Sequence, residues 1–132
     1  MALVPRPYER SLTAYVKNNR DAVVLSGDLT ESCNISTIRD DYPDQYLSLG
    51  MAEQNMISVA GGLAREGLTP LVHSFGVFLY RRALDQIAMS IACPNLPVRL
   101  IAFCTGYNSK DGVSHQAIDD LSALRGLPNM TL

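Results

Sequence analysis

Glu53 stands where a carboxylate could do chemistry. It lies in the run Tyr46-Leu47-Ser48-Leu49-Gly50-Met51-Ala52-Glu53-Gln54-Asn55-Met56. A short apolar strand ends at Gly50, and a helix opens almost at once with an acid in its first turn. In an open α/β sheet, ligand crevices form at the carboxyl ends of strands. A carboxylate placed there can take up and return a proton. An acid in a first helical turn also complements the helix dipole with no chemistry at all. Position alone leaves both readings open.

The elements that must place Glu53 alternate between strand and helix patterns. Tyr8, Leu12, Tyr15 and Val16 fall at helical spacing and predict a helix from Pro7 to Asn19. Ala22 to Ser26 reads as a buried strand, Gly27 to Asn34 as a polar turn, and Ser36 to Tyr42 as a short helix stopped by Pro43. Tyr46 to Leu49 is the next strand. Glu53 to Glu66 reads as a helix with Met56, Val59, Ala60 and Leu63 on one face and Gly67 as its stop. Gly61-Gly62 inside it lowers helix propensity and suggests close approach of a neighbouring backbone. Leu71 to Ser74 and Val98 to Phe103 read as strands around a helix from Phe78 to Ala92. Gly106 to Gln116 is a polar loop and Ala117 to Arg125 a last helix. Asn129 to Leu132 reads as a strand barely begun, so the expected domain, 1–132, is incomplete at its carboxyl end. The pattern implies βαβ units: one α/β domain, a mainly parallel sheet with helices on both faces.

Composition narrows the classes. The chain has 132 residues, 47% of them hydrophobic, enough for one core without staples. A net charge of −2 with scattered basic residues argues against a nucleic-acid surface. No apolar run reaches the ~18 residues that span a bilayer, and Met1-Ala2-Leu3-Val4-Pro5-Arg6 lacks a signal peptide's apolar centre. Cys33, Cys93 and Cys104 form an odd set without C-x-x-C spacing, which suits reduced thiols in a cytoplasmic protein. Only His73 and His115 could join them, with no recognisable ligand spacing, so no metal site is expected in this chain. Dinucleotide, P-loop and nucleophile-elbow signatures are absent. Ser114, His115 and Asp111 crowd one loop, an arrangement that rarely gives triad geometry.

Four segments together resemble one family. They are Gly27-Asp28-Leu29-Thr30-Glu31-Ser32, Gly50 to Met56, His73-Ser74-Phe75-Gly76-Val77-Phe78-Leu79-Tyr80-Arg81-Arg82-Ala83-Leu84-Asp85-Gln86-Ile87, and Asp111-Gly112-Val113-Ser114-His115-Gln116. Their order and spacing are similar to the pyrimidine-binding domain of transketolases, above all the split, two-gene bacterial kind. The tail Leu124 to Met130 continues the likeness. Deoxyxylulose-phosphate synthase shares part of it.

The resemblance implies a thiamine-diphosphate-binding fold and gives Glu53 a task. The family's matching glutamate hydrogen-bonds a ring nitrogen of the cofactor's aminopyrimidine, and proton sharing there lets the exocyclic nitrogen take the thiazolium proton. By the same likeness Phe75 and Phe78 line the pyrimidine pocket, although i and i+3 aromatics are ordinary core positions. The family's third aromatic falls on Arg81, with Tyr80 one position away. Asp28 would lie near the cofactor, and Ser32 and Arg6 would help hold a sugar phosphate. Asp111 and His115 would contact the donor sugar. Asp85 and Gln86 fit helix packing or an interface. Phe103 stands where many transketolases have a phosphate-holding histidine.

A Gly-Asp-Gly motif for the diphosphate is missing, so Mg2+ or Ca2+ would be held by a partner domain or subunit, in a homodimer or heterotetramer. The implied reaction transfers a two-carbon ketol unit between sugar phosphates. The alternatives are another thiamine-diphosphate reaction, such as deoxyxylulose-phosphate synthesis, or a catalytically silent partner-binding module.

Overall fold

A computed structural model describes residues 5–132. Four strands, β1 (Ala22–Ser26), β2 (Tyr46–Ser48), β3 (Thr69–Phe75) and β4 (Arg99–Phe103), form one sheet in the order β2-β1-β3-β4. Every pairing is parallel, with Ser26 opposite both Ser48 and His73, and Phe75 opposite Phe103. The parallel ladder fits strands read as continuous apolar runs, because helices cover both faces.

Period-two alternation sorts the side chains. Val23, Leu25 and Val72 pack with α3 (Glu53–Arg65) and α4 (Gly76–Gln86). Ala22, Val24 and Leu71 pack on the opposite face with α1 (Pro7–Asn18) and α2 (Ser36–Asp41). Beyond the core the same alternation continues to the carboxyl end of β3. His73 turns toward α1, where Tyr8 reaches it, and Ser74 turns toward Glu53 of α3.

One glycine brings α3 close against the segment that follows α4, Ile87–Ala92. A Cβ on Gly61 would fall 2.5 Å from the backbone oxygen of Ser90, so only glycine permits this crossing. Gly62 has nothing within 4 Å of the equivalent position, so the glycine pair serves close packing at one member only. The long helix expected from Phe78 to Ala92 differs from a plain α-helix. It starts at Gly76, breaks its geometry at Ala83 (φ −124°, ψ 21°), and continues as a π-helical segment over Ile87–Ala92. Such segments insert an extra residue per turn and cluster at functional sites.

The chain's last part corrects two expectations. α5 spans Asp120–Arg125 and not the whole of 117–125, because Ala117 is drawn into bridges with Thr105 and Gly106. Asn129 to Leu132 forms no strand. Asn129 takes a left-handed φ of 60°, incompatible with extended backbone, and its side-chain amide donates to the Ala92 carbonyl at 3.0 Å. Among the described residues, no helix is long and apolar enough to cross a membrane.

Candidate active site

Glu53 opens α3 just past the carboxyl ends of β1 and β3, and it is 1% exposed. A buried carboxylate without partners would be severely destabilising. Glu53 has two. Arg82 Nη1 donates to Oε2 at 2.7 Å, and the Ser74 hydroxyl donates to Oε1 at 3.3 Å. The first bond is short and charge-assisted; the second is long. One carboxylate oxygen is therefore firmly held and the other loosely. Gly27 ends β1 against the loose one: a Cβ there would sit 3.5 Å from Oε1 and 3.4 Å from the Ser74 hydroxyl.

Aromatic faces adjoin this carboxylate. Phe75 caps the start of α4 and Phe78 lies one turn in, with ring centroids 6.0 Å apart and planes at 22°. The Arg82 guanidinium lies over the Phe78 ring, 4.5 Å from its centroid. His115 meets Phe78 edge-on at 5.1 Å, and the Ser114 hydroxyl lies 2.9 Å from its Nδ1. The loop carrying them is pressed onto α4, since a Cβ on Gly76 would come within 2.9 Å of the Thr105 methyl group. Tyr80 and Arg81 both donate to the Asp119 carboxylate and pin the loop's far end.

Glu53, Phe75, Phe78 and His115 are thus drawn into one cluster, with Arg82 at its centre. Asp28 follows Gly27 in a left-handed conformation (φ 64°) and is exposed. Ser32 is exposed in the turn after β1. Arg6 precedes α1 and pairs with Glu9 at 3.2 Å. The hydrogen bond from Tyr8 to His73 puts α1's first turn at the same sheet edge. Asp111 is exposed, and its carboxylate accepts from Ser109 at 3.4 Å. Its side chain does not orient His115, so Ser114, His115 and Asp111 form no triad.

Phe103 is occupied elsewhere. Its ring meets Tyr8 edge-on at 5.4 Å and lies 6.4 Å from His73. His73 is fully buried; burial pushes its pKa down to about 4. Its Nδ1–H donates to the Leu71 carbonyl at 2.9 Å, and Nε2 accepts from the Tyr8 hydroxyl at 2.5 Å. Burial in turn drives the Tyr8 phenol up to about 12. This is a neutral, satisfied core histidine. Sequence reasoning overlooked Arg82 and Ser74. The available signals were the i, i+4 spacing of Phe78 and Arg82 and the alternation that sends Ser74 to the face opposite His73.

Chemically, the cluster offers a flat apolar wall next to a buried carboxylate with one loosely held oxygen. That suits a planar heteroaromatic ring with a hydrogen-bonding nitrogen at its edge. Among the described residues, no group of three or more His, Cys, Asp or Glu is placed to hold a metal ion.

Residues 6–132 match the family described as Transketolase, pyrimidine binding domain. A transketolase family protein of Sinorhizobium fredii is 38% identical over 128 residues, covering 97% of this chain and 37% of the relative. The 1-deoxy-D-xylulose-5-phosphate synthase of Desulfotalea psychrophila is 38% identical over 116 residues, 88% of this chain and 18% of that enzyme. Among solved structures, a split-gene transketolase in an inactive beta4 tetramer superposes with a TM-score of 0.79 at 39% identity, covering 93% of this chain and 39% of that one. The chain therefore spans less than half the length of these relatives.

Proposed function

The chain belongs to the transketolase pyrimidine-binding-domain family, and from that premise we propose that it supplies the proton-relay half of a thiamine-diphosphate site. The carrying observation is Glu53: a carboxylate 1% exposed at the strand ends, with its Oε1 held only by a 3.3 Å bond. The residues present fit the cofactor's aminopyrimidine. Phe75 and Phe78, with the Arg82 guanidinium over the Phe78 ring, would form an apolar wall against which the ring could lie. Glu53 Oε1 would be the oxygen available to a ring nitrogen of the bound cofactor and to a proton shared with it. The cofactor, once bound, supplies the carbon nucleophile.

A diphosphate-binding partner domain or subunit completes the site and carries the Mg2+ or Ca2+. Support for a partner comes from Met51, 77% exposed two residues before Glu53, and from Met89, 62% exposed on the π-helical segment. Support for an oligomer comes from the beta4 tetramer of the split-gene relative. The whole is a cytoplasmic homodimer or heterotetramer that transfers a two-carbon ketol unit between sugar phosphates. Asp28 borders the cofactor; Ser32, Arg6, Asp111 and His115 receive the sugar phosphates around the same sheet edge. His115 is the best placed of these, because it already touches Phe78.

Calorimetry with thiamine diphosphate and Mg2+ tests this, with the chain alone and with a diphosphate-binding partner. Tight binding is expected only with the partner; micromolar binding by the chain alone refutes the shared site. A second reading, deoxyxylulose-phosphate synthesis, is favoured by the 38% identity to such an enzyme. Turnover of pyruvate with glyceraldehyde 3-phosphate, but not of xylulose 5-phosphate with ribose 5-phosphate, selects it.

A further inference from the structure

We propose that Arg82 is a positioning residue for this half-site: it fixes Glu53 by one oxygen, so that the other is free for the cofactor ring. The inference rests on the proton-relay reading of Glu53 and assigns that role a partner.

Arg82 makes two contacts that converge on the site. Its Nη1 donates to Glu53 Oε2 at 2.7 Å, and its guanidinium lies 4.5 Å from the Phe78 centroid. The carboxylate is buried while the Arg82 side chain stays 45% exposed, so the guanidinium keeps water on one side and presents its fork inward. The cation thus offsets the burial of Glu53 without being buried itself. A planar guanidinium suits both tasks, since it stacks on a ring and donates in its own plane. The oxygen it leaves is the one facing Ser74 and Gly27, at the carboxyl ends of β3 and β1. Rotation of the carboxylate would exchange the two oxygens; the short ionic bond opposes that rotation, and the 3.3 Å Ser74 bond alone would not.

Arg81 cannot substitute. Neighbours on an α-helix point about 100° apart, and Arg81 is committed to Asp119 at 2.8 Å. Arg82 falls one turn beyond Phe78, directly before the break at Ala83. The same guanidinium therefore sets the ring wall and the carboxylate, and their relative position is fixed by one side chain.

The test has two parts. In the cofactor-free chain, 15N NMR of the arginine side chains is compared between wild type and Glu53→Gln. A slowly exchanging Arg82 guanidinium signal is expected in wild type and lost in the variant. Identical, solvent-averaged Arg82 signals in both would overturn the proposal.

In the complex with a diphosphate-binding partner, proton–deuterium exchange at the thiazolium carbon is measured for Arg82→Gln, Arg82→Lys and Glu53→Gln. Arg82→Gln is expected to slow exchange roughly tenfold, the low end for loss of a group that orients a catalytic partner. Thiamine-diphosphate affinity should change less than the rate, and Arg82→Lys should recover only part of the loss, because an ammonium keeps the charge but not the planar fork over Phe78. If Glu53→Gln slows exchange but Arg82→Gln leaves it at the wild-type rate, the role of Arg82 fails and the reading of Glu53 stands. If neither variant slows exchange, the reading of Glu53 itself fails. If Arg82→Gln does not fold, Arg82→Lys decides alone. Exchange slowed measurably but less than in Glu53→Gln, with thiamine-diphosphate affinity kept, supports the proposal, and exchange at the wild-type rate refutes it.

Discussion

Alanine should have opposite effects at the two adjacent glycines of α3. At Gly61 the added Cβ would lie 2.5 Å from the Ser90 backbone oxygen and 3.2 Å from its Cβ. A carbon–oxygen contact needs about 3.3 Å, so α3 and the π-helical segment must part by roughly 0.8 Å. Neither atom is the end of a flexible side chain, so the whole crossing yields. Ile57, Ala60, Ile87 and Ile91 meet across it in the core. A gap of 0.5–1 Å forfeits about a quarter to a half of each dispersion contact. Overpacking of this kind costs about 1–3 kcal/mol, against a gain of up to ~1 kcal/mol from better helix propensity. The expected net effect of Gly61→Ala is a loss of about 1–2 kcal/mol. Gly62 has open space, so Gly62→Ala keeps the propensity gain of about 0.5–1 kcal/mol. For a domain of this size 1 kcal/mol moves Tm by about 3–5 °C. Thermal and urea melts of both variants are the assay. Equal stabilisation by the two alanines would show that the helices do not approach as described.

Further outcomes follow from other sites. His73 is buried neutral, with a pKa of about 4 against about 6.5 when unfolded. The unfolded chain then binds more protons between these values, so stability is complete above pH ~6.5 and falls as pH drops toward 4. The loss is on the order of 3 kcal/mol. Urea melts from pH 8 to 4 should show it, and His73→Phe should flatten that part of the profile. Cys33 is buried and its thiol is pushed up to about 12 by desolvation, whereas Cys93 and Cys104 are exposed. Brief treatment of the native protein with a thiol reagent should modify two cysteines and spare Cys33, and rapid modification of all three would contradict the packing. Phe103→His should lower Tm by several degrees without improving use of a phosphorylated sugar in the complex, because the ring packs against Tyr8 and His73. A gain in turnover with no loss of stability would refute that placement.

What could be read in the sequence was what a residue's own neighbours along the chain decide. The strands showed as apolar runs because both faces of a parallel sheet are covered. Position left Glu53 open between a helix start and chemistry, and the i, i+3 spacing of Phe75 and Phe78 fitted a plain core; only the four ordered segments, read together, gave these residues a candidate site role. Gly61 was visible as a propensity defect, though which glycine of the pair was needed was not. The π-helical segment left no mark, since no residue type demands it. Asn129 misled because an apolar Met130 and Leu132 imitate alternation, while its left-handed φ is set by a tertiary bond to Ala92.

Arg82 was hidden for a more general reason. On a helix an arginine beside another arginine reads as a solvated face, and its partner Glu53 lies 29 residues away. Their contact needs α3 to lie close to α4, and close packing of α3 on the π-helical continuation of α4 has no room for a side chain at Gly61. The site's chemistry is therefore encoded twice. The positions of Glu53 and Phe78 on their helices are local and legible, whereas the bond between Glu53 and Arg82 belongs to the packing of two helices. A substitution at Gly61, about two turns from Glu53 along α3, should thus reach the candidate site through Arg82.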